Sequence, residues 1–161
     1  SPLMEELEDY WLTDEEAIKS VTRGTRNGLG LSIEESFSFP VLTRIITQAI
    51  SQLGLDMPKS LWLNLYRNGD NYAPWHQDSY GGKVGIVSIG GVRLFKTRPL
   101  SAVRPGGLTK VRPPLNEQPE TYSFGDGDLI FFNESWNNTH QHSVPKTKRK
   151  VSPRVSIVLF W

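Results

Sequence analysis

The stretch GDGDLIFFNESWNNTHQHSVPKTKRKVSPRVSIVLFW, residues 125–161, decides the fold. It opens on a Gly-Asp turn and passes into the apolar run Leu129-Ile130-Phe131-Phe132. A polar segment with two histidines and a basic cluster follows, and the chain ends on a second apolar run beginning at Arg154. Runs this short, bounded by Gly, Asn, Asp and Pro, read as strands. Working outward, the same texture recurs at 61–66, 84–89, 92–96 and 107–112, beside 128–133 and 154–161. Short strands so closely spaced close on one another as a barrel or jelly roll. Ahead of them Pro40 opens a helical pattern, with Val41, Leu42, Ile45, Ile46, Ala49, Ile50 and Leu53 at 3.6-type spacing and Gly54 as terminator. The reading is a mainly β protein with flanking helices, the 40–53 helix packed on the barrel.

The N-terminal region is less regular. Thr13 with Glu16 reads as a capping box opening a helix to about Thr22, and the acidic run Glu5–Asp9 as a separate short helix. Residues 23–36 carry three Gly and little helical period, so they read as loop or hairpin. The expected organisation is one compact domain, with residues 1–36 as an N-terminal region on a core of residues 37–161. No internal repeat, P-loop, dinucleotide fingerprint or GxSxG elbow is present, so nucleotide-cofactor and serine-hydrolase readings lose their main support.

With 18 Lys plus Arg against 17 Asp plus Glu, net charge argues neither for nor against a polyanionic partner. Local clustering has to carry that question. The absence of cysteine excludes disulfides, thiolate nucleophiles and Cys-bearing metal sites, so any metal must sit on N and O ligands; it also suits an intracellular setting. No apolar run reaches the ~18 residues of a membrane span. A monomer without membrane attachment is expected, and a start at Ser1-Pro2 without Met suits a domain of a larger protein.

The chain holds three histidines, His76, His140 and His142. His76 and Asp78 stand two apart, and in an extended segment such residues share a face, so they can grip a cation that a distant His completes. Two His and one carboxylate on one side of an octahedral metal leave three positions open, the arrangement of non-haem Fe(II) oxygenases. An HxD tripeptide alone is more often a solvated loop. The second feature is Arg154, twelve residues beyond His142, opening the last strand among Val and Leu. An arginine facing inward there needs an anion, which a keto-diacid provides. Periodicity does not choose between His140 and His142.

Asn64-Leu65-Tyr66, HQD at 76–78, Ser88-Ile89-Gly90-Gly91 with Arg93 and Phe95, GDGDLIFFN, HSVP and PRVSIVLF together resemble the AlkB family of nucleic-acid demethylases, in that order over roughly residues 37–161. The resemblance implies a double-stranded β-helix (jelly-roll) core. It also implies Fe(II) held by His76, Asp78 and His142, the HSVP context and the step to Arg154 selecting His142. Asn64, Tyr66 and Arg154 fall on 2-oxoglutarate positions, with Arg154 and Tyr66 at the distal carboxylate. The last strand's period puts Arg154, Ser156, Val158 and Phe160 on one inward face. The implied activity, with O2 as co-substrate, is oxidative removal of a methyl group from an N-methylated base in DNA or RNA, releasing formaldehyde, succinate and CO2.

For the substrate side the expectations are these. Trp75 or Tyr80 stacks on the target base. Arg23 and Arg26 fall where the family has its nucleotide-recognition lid. Lys146, Lys148, Arg149 and Lys150 lie on a loop beside the active-site mouth and contact phosphate. Single-stranded nucleic acid is favoured, since extruding a base from a duplex costs a few kcal/mol. Two departures stand out. Tyr80 replaces an acidic residue that many members carry, and Phe160 replaces the family's second arginine, leaving Arg93 as the nearby candidate cation. Rival readings are an oxygenase of the same fold acting on a protein side chain or small molecule, and a silent nucleic-acid-binding module.

Overall fold

Strand β2 (Ser60–Tyr66) shows how the molecule is layered. Leu61, Leu63 and Leu65 point to one side and Trp62, Asn64 and Tyr66 to the other, as the two-residue period of a strand requires. The leucines pack with Leu42, Ile46 and Ala49 of a long helix, whereas Tyr66 belongs to a second apolar cluster with Phe95, Phe124 and Val158. The last strand, β9 (Arg154–Phe160), is buried on both sides for the same reason: Val155, Ile157 and Leu159 face the helix, and Val158 and Phe160 face the interior.

This computed structural model describes residues 1–11, 27–78, 82–100 and 119–161. Besides β2 and β9, its strands are β1 (Asn27–Ser32), β3 (Ala73–His76), β4 (Val84–Gly90), β5 (Arg93–Pro99), β6 (Glu120–Phe124), β7 (Leu129–Phe132) and β8 (His140–Val144). They form a five-stranded sheet in the order β1-β2-β9-β4-β7 and a four-stranded sheet in the order β3-β8-β5-β6. Every pairing is antiparallel. Two such sheets closed around an apolar interior make a double-stranded β-helix, or jelly roll, as expected.

The helices are α1 (Pro2–Glu6), α2 (Ile33–Ser36), α3 (Pro40–Leu53) and α4 (Glu134–Thr139). The 40–53 pattern is α3 itself, with Pro40 in its first turn and Gly54 as a left-handed cap at φ 66°. Phe39 offers that helix no side-chain cap; instead the Glu6 carboxylate accepts from the Val41 and Leu42 amides at 2.9 and 3.0 Å. Those first-turn N–H groups have no intrahelical partner, so the acid ties the N-terminal segment to the helix.

Several segments differ from the sequence reading. Residues 27–36, read as loop or hairpin, form β1 and then α2, which starts on a Ser32/Glu35 capping box. The two glycines of β1 obscured the strand. The acidic run divides between α1 and a short 3-10 turn at Glu8–Tyr10. The strands β3, β6 and β8 carry mostly polar or exposed residues and so lacked an apolar signature. The helix expected at 13–22 and the strand expected at 107–112 lie outside the described residues, as do Arg23, Arg26 and Tyr80.

Candidate metal centre and adjoining pocket

Cross-strand register assembles the centre. β3 pairs with β8 so that His76 stands opposite His142, their ring centroids 4.2 Å apart. Asp78 follows just past the end of β3. Its Oδ1 lies 3.7 Å from His76 Nε2 and its Oδ2 3.5 Å from His142 Nε2. One donor atom from each of the three falls within 4.8 Å of the others, a group that can hold a metal ion. The ring of His76 is fixed from behind: Nδ1 lies 2.6 Å from the Pro74 carbonyl, which only accepts, so Nδ1 is the donor there and Nε2 is the nitrogen turned toward Asp78. His142 is enclosed by Phe95, Phe132 and Trp136.

His140 is not in this group. Its ring lies parallel on Trp136 at 4.5 Å, and Nδ1 sits 2.8 Å from Thr139 Oγ1 and 3.1 Å from the Trp136 carbonyl. It lines a separate 810 Å³ cleft with Glu120, Tyr122 and Asn133. Geometry thus divides two histidines that periodicity left equivalent.

One residue that the motifs did not reveal holds the centre together. Asn137, 2% exposed on α4, accepts from the Asp78 amide through Oδ1 at 3.1 Å and donates to the Asp78 carbonyl through Nδ2 at 2.8 Å. Its own carbonyl accepts from Gln77 Nε2 at 2.8 Å. The segment that delivers His142 therefore also clamps the backbone of Asp78. The signal in sequence was faint: Asn133 caps α4 by accepting from the Trp136 amide, which places Asn137 one turn on.

A pocket of 280 Å³ runs from His76, Asp78 and His142 down the barrel interior to Arg154. That volume is at the low end for ligand sites and suits a small diacid. Asn64, Tyr66, Ser156, Val158 and Phe160 line it, as the strand period predicted for the β9 positions. Arg154 is 1% exposed; its Nε donates to Ser88 Oγ at 2.7 Å, and its guanidinium lies over the rings of Tyr66 and Phe124 at 4.9 and 5.0 Å. Its Nη1 is buried with no hydrogen-bond partner among the described residues. Burial pulls this guanidinium below its ordinary pKa, nearby Arg93 adds to that, and Tyr66 opposes it. Because a guanidinium does not deprotonate in proteins, such a site suits an anionic partner and not proton loss.

Arg93, the cation that the resemblance offered beside the pocket, does not line it. Its guanidinium donates to the carbonyls of Asn68, Asn71 and Pro145 at 3.2, 2.8 and 2.7 Å, closing the floor of the barrel.

The other expected residues fall elsewhere. Trp75 is not in the pocket: Arg98 covers its ring at 4.2 Å while bonding Gln141 Oε1. Arg98 and Gln141 are register partners one step from the inward pair Thr97 and His142, so all three sit on the outer face of the smaller sheet. The basic run is also displaced. It lies in the connection from Val144 to Arg154, where Lys146 lies 4.8 Å over Tyr72 and the Thr147 amide donates to Gly69. That connection crosses the closed floor marked by Tyr66, Arg93 and Arg154, not the end where β3 delivers Asp78. Lys148, Arg149 and Lys150 are exposed there. A connection between two strand ends must run where those ends are, and for β8 and β9 that is the floor.

Sheet order and donor set together define the class: a double-stranded β-helix with a two-histidine, one-aspartate cluster in its barrel. No protein-family model matches the chain, and no curated protein does. Among solved structures it is similar to Drosophila melanogaster CENP-C bound to CAL1, at 14% identity over 60% of this chain and 58% of that one, with TM-score 0.36. It is similar also to an RmlC-like cupin protein from Desulfovibrio desulfuricans, at 14% identity over 65% and 74%, TM-score 0.37. A third is vicilin from Corylus avellana, hazelnut, at 9% identity over 84% and 30%, TM-score 0.44. The chain spans 58% of the first and 30% of the last. These likenesses say nothing about chemistry, and the fold assignment rests on strand order and register. No helix among the described residues is long and apolar enough to cross a membrane.

Proposed function

We propose that this chain is an Fe(II)- and 2-oxoglutarate-dependent oxygenase that removes methyl groups from N-methylated bases of nucleic acid. The observation that carries the oxygenase part is the joining, in one 280 Å³ pocket, of a His-Asp-His cluster to a buried arginine whose Nη1 lacks a partner among the described residues. Three N and O donors suit Fe(II), and Arg154 with Tyr66 suits the far carboxylate of a keto-diacid. When bound, Fe(II) and 2-oxoglutarate supply, with O2, an oxidant that hydroxylates the methyl group as the keto acid becomes succinate and CO2. The hydroxymethyl product then releases formaldehyde.

The chain's own part is positioning. Arg154 and Tyr66 anchor the diacid at the floor, Asn64 and Ser156 line its path, and Phe95, Phe132 and Phe160 keep the surroundings apolar. Nucleic acid as substrate is supported by the likeness of HQD, GDGDLIFFN, HSVP and PRVSIVLF to the AlkB pattern. The test is a panel of singly methylated DNA and RNA oligonucleotides, single and double stranded, incubated with Fe(II), 2-oxoglutarate and air. Mass spectrometry should find methyl loss and formaldehyde that require the keto acid. Succinate formation without methyl loss from any oligonucleotide would instead favour a protein or small-molecule oxygenase, and no succinate at all a silent module.

A further inference from the structure

The expected stacking residue Trp75 faces outward, yet the rim of the pocket does carry an indole. Trp62 precedes Asn64 and Tyr66 on the interior face of β2, lines the pocket with His76 and Asp78, and keeps 41% of its surface exposed. The neighbouring strand is shaped to receive it. Gly28 and Gly30 of β1 pair with Asn64 and Trp62, and a Cβ at Gly28 would stand 2.5 Å from Trp62 Cζ2, one at Gly30 2.9 Å from Cζ3. Neither glycine has a positive φ, so glycine is needed here for space, not for backbone conformation. The ring is seated on bare backbone on that flank.

The edge of the ring is engaged as well. Trp62 Nε1–H donates to Asn64 Oδ1 at 2.9 Å, and Asn64 Nδ2 donates to Ser156 Oγ at 3.2 Å. With its oxygen occupied by the indole, the Asn64 amide is fixed in one orientation. Its second N–H remains for an acceptor in the pocket.

We infer that Trp62 has two roles at the rim: its exposed ring is the platform on which the flat base of the substrate stacks, and its N–H positions Asn64 toward the keto acid. The first role rests on the function proposed above; the second needs only the keto acid. A base drawn out of its strand loses its stacking neighbours, and an aromatic ring restores the contact whichever base it is.

Trp62→Phe, Trp62→Leu and Gly28→Ala separate the roles. The first keeps a ring without the N–H, the second removes both, and the third displaces an intact indole from its glycine seat. Each is loaded anaerobically with Fe(II) and 2-oxoglutarate, and anisotropy measures affinity for a singly methylated oligonucleotide and its unmethylated twin. Trp62→Leu and Gly28→Ala should lose roughly five- to a hundredfold in affinity for the methylated strand. Trp62→Phe should retain most of that affinity. All three should bind 2-oxoglutarate about three- to tenfold more weakly. Undiminished affinity for the methylated strand in both Trp62→Leu and Gly28→Ala overturns the platform, and unchanged 2-oxoglutarate affinity in Trp62→Phe overturns the positioning of Asn64. If the unaltered protein shows no methyl preference, the proposed substrate class fails and the platform with it, while the keto-acid arm still decides the second role. Should Trp62→Leu fail to fold, Gly28→Ala, on an edge strand, decides the platform.

Discussion

Each alanine replacement of His76, Asp78 or His142 removes one of the three donors that come together among the described residues, and the two left compete poorly with water for Fe(II). Loss of metal binding is expected in all three, measured by equilibrium dialysis against Fe(II) under anaerobic conditions. His140→Ala should bind metal as the unaltered protein does, because His140 is held on Trp136 away from the cluster. The opposite pattern, with His140→Ala losing metal and His142→Ala keeping it, would refute the donor assignment. At this scale much was legible. His76 and Asp78 were placed by a two-residue period and Arg154 by its apolar setting, all from the chain itself. What escaped were Asn137 on Asp78, 59 residues apart in sequence, and Trp62 on Asn64, two apart on one strand but with the indole seated over the glycines of β1.

Among the elements, α4 links most directly to the site, since it ends on the strand that carries His142 and holds Asp78 by its backbone. Asn137→Ala should weaken metal binding about 10- to 100-fold, the usual cost of losing a partner that orients a ligand. Dialysis should show that loss while circular dichroism stays that of the folded protein; full metal affinity in a folded Asn137→Ala would remove the clamp from the account. Elements were legible in proportion to their apolar signal. The helix α3 and the strands β2, β4, β7 and β9 announce themselves because one or both sides are buried. By contrast β3 and β8 are written in His, Gln, Ser and Pro because they line or adjoin the centre, so the strands that matter most to function gave the weakest strand signal. Glycine hid β1, where it makes room for Trp62.

For the molecule as a whole, two apolar clusters lie on opposite sides of the five-stranded sheet, one beneath α3 and one within the barrel. Interior strand faces thus become a rigid lining, running from an exposed Trp62 at the rim to a buried Arg154 at the floor. That polarity is a property of topology, which is why the basic run, adjacent in sequence to both His142 and Arg154, was expected at the mouth and lies across the floor. The same polarity sets the central claim, that the pocket receives a keto-diacid between the His-Asp-His cluster and Arg154. Its most direct test is an anaerobic titration of 2-oxoglutarate into the Fe(II) protein, following the metal-to-ligand charge-transfer absorption. With Arg154 lining the pocket beside an apolar Phe160, saturation is expected at a finite concentration, and Arg154→Met should raise the midpoint. Loss of one charge-assisted hydrogen bond is worth roughly 1.5–3 kcal/mol, or about one to two decades in affinity. A saturable band that moves in this way with Arg154 is the predicted result; no band at millimolar 2-oxoglutarate, or one indifferent to Arg154, would contradict it.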